Sequence, residues 1–119
     1  MTSTATEELA TWLLEQIAAD ERVAGDLAAD GYPKHGVRVL SVEGTLPLPW
    51  PDRWNPVLVL RECEAKRQII HHAIKIASEV RADSSNVLLY GQHLALQAVL
   101  KRFALLYAHL PGYRREWQP

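Results

Sequence analysis

The chain is short of most features that announce an activity. It holds one cysteine, Cys63, in 119 residues, which excludes an internal disulfide and any multi-cysteine zinc site. Neither sign of charge is in excess: 13 Lys and Arg stand against 14 Asp and Glu, for a net charge of −1. No global field therefore draws it to nucleic acid or to an acidic membrane surface. No apolar run approaches the ~20 residues that a spanning helix needs, and the short polar start, Met1 to Thr6, has no signal-peptide character. Glycine-rich phosphate loops, the G-x-S-x-G elbow and the H-E-x-x-H pair are all missing. No internal repeat or low-complexity tract is visible. The expectation is a cytoplasmic protein without a cofactor or a metal.

What is present is ordinary globular material, 48% hydrophobic and 23% charged, and its length suits one domain over residues 1–119. The segment Thr4 to Glu7 has the form of a capping box and predicts a first helix over about residues 5–30. Glu7 and Glu8 fall in its first turn, where the helix dipole favours them. At ~100° per residue Leu9, Trp12, Leu13, Ile17, Val23, Ala24 and Leu27 share one face, and Gly31 ends the pattern. Asn55-Pro56 is a cap followed by a proline at the first helical position, which predicts a second helix over about 56–81. Its apolar face, Val59, Cys63, Ile69, Ile70, Ala73, Ile76, Ala77 and Val80, is wide enough to touch two neighbours. After a short connection at residues 82–85, a third helix over about 86–110 should return antiparallel. Leu88, Ala95, Leu96, Val99, Phe103, Leu106 and Leu110 are read as its inner stripe, with Leu14, Leu94 and Leu105 off the main stripes of their helices.

Between the first two helices the pattern changes. GVRVLSVE, Gly36 to Glu43, alternates well enough for a strand, and LPLPWP, Leu46 to Pro51, cannot continue a central ladder. Residues 36–54 should form a small β-hairpin or edge strand with a proline-rich cover. The fold class is thus mainly α, a three-helix bundle-like domain with that insert between helices one and two. An aromatic tail, residues 111–119, follows the Pro111-Gly112 stop.

Three strings carry a resemblance: LATWLLEQIAADER (Leu9 to Arg22), VLRECEAKRQII (Val59 to Ile70), and the stretch from Arg102 that ends YAHLPGYRREWQP (Tyr107 to Pro119). With them the chain resembles an uncharacterised family of small proteins from actinomycetes and their phages. The resemblance implies a shared build and origin, and no activity. The chain departs from the family pattern at His109-Leu110, where an aspartate and a histidine are expected before the proline. It also lacks the cysteines that many relatives carry between the second and third helices, so a metal role does not carry over.

Four charged residues fall on or beside apolar faces: Asp20, Glu62, Lys66 and Arg102. They could meet between the helices, either as a ligand or proton-handling site or as a network that fixes helix pairing; the second is the preferred reading. The five histidines lack metal-ligand spacing: adjacent His71 and His72 diverge, and His93 falls on the polar side of its helix. Cys63 lies on an apolar face and reads as an inert packed thiol. In the tail, Tyr113, Arg114, Arg115 and Trp117 could contact a partner or stack on single-stranded nucleic acid; packing of Trp117 back onto the helices is preferred. The functional expectation is a small non-enzymatic interaction or regulatory module that binds a protein partner or itself, as a homodimer. The alternatives are a small-molecule or enzymatic site at the charged four, then nucleic-acid binding through the tail.

Overall fold

The computed structural model describes residues 5–29 and 56–119. Among these residues there are three α-helices, α1 (Ala5–Ala29), α2 (Pro56–Ala82) and α3 (Val87–Leu105), and a 3-10 turn at Arg115–Trp117. The mainly helical, bundle-like class is thus the observed one. The β-hairpin or edge strand and the proline-rich cover, expected over 36–54, lie outside the described residues, as do Thr4 and Gly31; no strand occurs among the described ones.

The chain separates into two compact units, one drawn from Met1–Ile17 and Lys66–Pro119, the other from Ala18–Ala65. In the first, Leu9, Leu13, Ile17, Ile70 and Leu100 are fully buried, so all three helices feed one core. Burying each such side chain stabilises the fold by ~1.5–3 kcal/mol. Ala10, Ala73, Ala77 and Ala104 are buried between them and allow close helix approach. Glu7 in the first turn of α1 pairs with Arg81 at the end of α2, which fixes these helices antiparallel. The Gln97 amide donates to Thr6 Oγ1 at 3.0 Å and ties α3 to α1. Asn86 caps α3, its side chain accepting from the Leu89 amide at 3.1 Å. In the second unit Ala24 and Cys63 are buried, whereas Val23 is exposed, contrary to its place on the α1 apolar face.

Two expectations for α3 need correction. It ends at Leu105, not near residue 110. From there the amides of Leu106, Tyr107 and Ala108 bond three residues back, to Phe103, Ala104 and Leu105. Pro111 has no amide hydrogen and disfavours helical geometry in the residue before it, so the chain tightens into turns ahead of it. The inner stripe is also rotated by about one residue, or ~100°. Leu100, Ala104 and Tyr107 are buried, while Leu88 and Leu106 are exposed and Ala95 is exposed beside them. The physical reason is that α3 is apolar around its whole circumference, so periodicity gives no phase.

Candidate functional site

The tail closes onto Trp12. After α3 the chain turns at Pro111-Gly112, and the Trp12 indole Nε1 donates to the Pro111 carbonyl at 3.2 Å. Gly112 has φ 92, and a Cβ there would come 2.5 Å from Trp12 Nε1. Only glycine combines that backbone with that approach. Three further rings gather on the same indole. Tyr107 meets it edge-on with centroids 6.4 Å apart, Tyr113 lies at 5.9 Å and Trp117 at 5.1 Å. Trp117 is only 4% exposed, so it anchors the tail as its position suggested. The Arg114 guanidinium lies 5.3 Å from the Trp117 ring centroid and donates to Glu8 at 2.8 Å. Arg115 is exposed. The Tyr113 hydroxyl is buried with no hydrogen-bond partner.

The four charged residues are placed differently from one another. Asp20 and Glu62 line one hollow of about 260 Å³ in the second unit with Val23, Ala24 and Val59. In the first unit, Lys66 holds its ammonium 5.9 Å from the Tyr107 ring centroid. Arg102 bends back to the Ala98 carbonyl of its own helix at 3.3 Å. Asp20, Glu62 and Arg102 are exposed and Lys66 is half-buried, so the inward placement read from the helix faces is not observed. Charge stays near water because desolvating it is costly, and the rotated phase of α3 turns Arg102 outward.

The histidines divide in the same way. His71 and His72 are exposed. His93 is half-buried, with Nδ1 sealed from solvent and without a hydrogen-bond partner, on the inner side of α3 and not on the polar side expected of it. Among the described residues no group of acidic, histidine and cysteine side chains is arranged to hold a metal. No helix among them is long and apolar enough to cross a membrane.

Most of the exposed large apolar side chains among the described residues lie on or at the end of α3. Val87 is 80% and Leu88 81% exposed, and Tyr90, Leu94, Leu105 and Leu106 stand out as well. From Val87 to Leu100 the helix has no Asp, Glu, Lys or Arg; its only charges are Lys101 and Arg102, both positive. A shallow hollow of about 310 Å³ lies at the edge of this exposed face, lined by Leu94, Gln97, Ala98, Lys101 and Arg102 and, from the tail, by Pro119. A helix apolar all round belongs inside a protein, and of the described residues of this one Leu100 and Ala104 are buried whereas Val87, Leu88, Leu94 and Leu105 are exposed. Leu94 and Leu105 were legible as surface leucines; Val87, Leu88 and Tyr90 were not. The uncharged run was the signal that could have found them.

Comparison with known families adds one finding. The chain belongs to DUF6221, a family of unknown function. Its model matches residues 6–119, so both Trp12 and the tail that closes on it lie inside the match. No curated protein and no solved structure matches the chain.

Proposed function

We propose that the protein is a non-enzymatic interaction module that works by pairing with a second copy of itself through the outer face of α3. The observation that carries this is the exposed apolar arc of that helix, from Val87 and Leu88 through Leu94 to Leu105 and Leu106. Contiguous apolar surface of this kind marks a contact site. A second copy suits it because the face is charge-free for most of its length, and a two-fold pairing covers the same patch on both chains. The tail aromatics are turned onto Trp12, which supports an anchoring role for them over stacking on nucleic acid. The reading includes a cytoplasmic setting, supported by the lone cysteine, and an origin among actinomycetes and their phages, supported by the three resembling strings.

A concentration series of thermal melts tests it. Association that stabilises the folded chain makes the melting temperature rise with protein concentration. Leu94→Asp, a change at an exposed position, should abolish that rise while leaving the dilute melt nearly unchanged. A melting temperature independent of concentration in the unaltered protein overturns the proposal.

A further inference from the structure

We infer that the two copies of α3 pair antiparallel, in full overlap, so that the Lys101-Arg102 end of each lies over the uncharged N-terminal half of the other. The inference rests on the self-association reading and adds its geometry. The charge pattern of the helix carries it. The only charges on α3 are two adjacent cations near its C-terminal end. A parallel pair would bring four cations to one level between the helices, with no acidic side chain on either helix to offset them. Turning one copy round removes that repulsion and sets the two helix dipoles antiparallel.

The apolar residues fit the same arrangement. Val87–Leu105 has its midpoint at Leu96, and a two-fold axis there pairs levels equidistant from it. Val87 of one copy then lies level with Leu105 of the other and Leu88 with Ala104, so the exposed Val87 and Leu105 cover each other. Leu94 comes level with Ala98, and Ala95 with Gln97. Lys101 and Arg102 come level with Gly91 and Tyr90. Gly91 is exposed in mid-helix, and a Cβ added to it would meet nothing within 4 Å. That open space admits the long stems of the two cations. The half-exposed Tyr90 ring offers its face to a charge.

Charge placed at Gly91 tests the arrangement by the sign of its effect. Gly91→Glu puts a carboxylate opposite the cations of the other copy in the antiparallel pair, twice by symmetry. Association should tighten roughly threefold to tenfold by sedimentation equilibrium, with the gain lost in high salt. Gly91→Lys should weaken it by a similar factor. In a parallel pair the two introduced carboxylates face each other and Gly91→Glu weakens association, which overturns the inference. Both variants add good helix formers in open space, so retained helicity by circular dichroism is expected. A second measurement is independent of these substitutions. Spin labels on Ser84→Cys, just before α3, should lie on the order of 30 Å or more apart in the antiparallel dimer and within ~15 Å in a parallel one. Buried Cys63 stays in place. A short distance overturns the geometry alone, whereas a monomeric unaltered protein overturns the self-association reading beneath it.

Discussion

Replacing Trp117 with alanine should show how much the tail holds. The side chain is 4% exposed and packs on Trp12 at 5.1 Å and on Tyr113 at 6.0 Å between centroids. Truncating a buried tryptophan in a rigid core costs ~3–5 kcal/mol, of which each aromatic pair supplies ~0.5–1.5 kcal/mol. The tail is terminal, however, and can detach when its anchor is lost. Detachment returns chain entropy of ~1–2 kcal/mol for each backbone residue released, which caps the loss at the net docking energy of the tail. A loss of about 2–3 kcal/mol is expected, or a melting temperature lower by roughly 8–12 °C for a domain of this size. Trp117→Phe should recover more than half of it. Urea unfolding followed by far-ultraviolet circular dichroism gives the free energy directly, at a protein concentration low enough to keep association out. A shift below ~2 °C would refute the reasoning, since it would mean the indole contributes no more than a surface residue.

Other substitutions around Trp12 have different signs and sizes. Gly112→Ala should destabilise by ~2–3 kcal/mol in the same urea titration, since both the positive φ and the approach to Trp12 Nε1 must be relieved. Tyr113→Phe removes a buried hydroxyl that has no partner, so it should be neutral or stabilising by up to ~1 kcal/mol; a clear loss would reveal a hydrogen bond. Arg114→Ala breaks a half-exposed ion pair with Glu8 and should cost under ~1 kcal/mol, less still in high salt. A cost for Arg114→Ala matching that of Trp117→Ala would move the anchor of the tail from the ring to the charge.

The sequence was most readable where chemistry is local. Pro56 marked the start of α2, the 82–85 connection the start of α3 to within a residue, and the Glu7-Glu8 pair the first turn of α1, because capping and dipole effects depend on a few neighbouring residues. The end of α3 was less legible: Pro111 signals a stop, but turns that bring Tyr107 under Trp12 begin five residues earlier, and that contact spans the chain. The phase of α3 could not be read at all. Apolar residues on every side leave the choice of inner face to tertiary packing, which sets Gln97 against Thr6 of α1. Arg102 and His93 were misplaced for that one reason, the first being turned out and the second in. Asp20 and Glu62 were read as inward from their helix faces, and both are exposed although Ala24 and Cys63 near them are buried.

The central claim is that the outer face of α3 joins two copies of this chain. Sedimentation velocity from the low micromolar to the hundred-micromolar range, on the unaltered protein and on Leu94→Asp side by side, tests it most directly. The boundary should move from monomer to dimer with rising concentration in the unaltered protein and stay monomeric in the variant. A strictly monomeric boundary throughout, or a dimer that Leu94→Asp leaves intact, would contradict it.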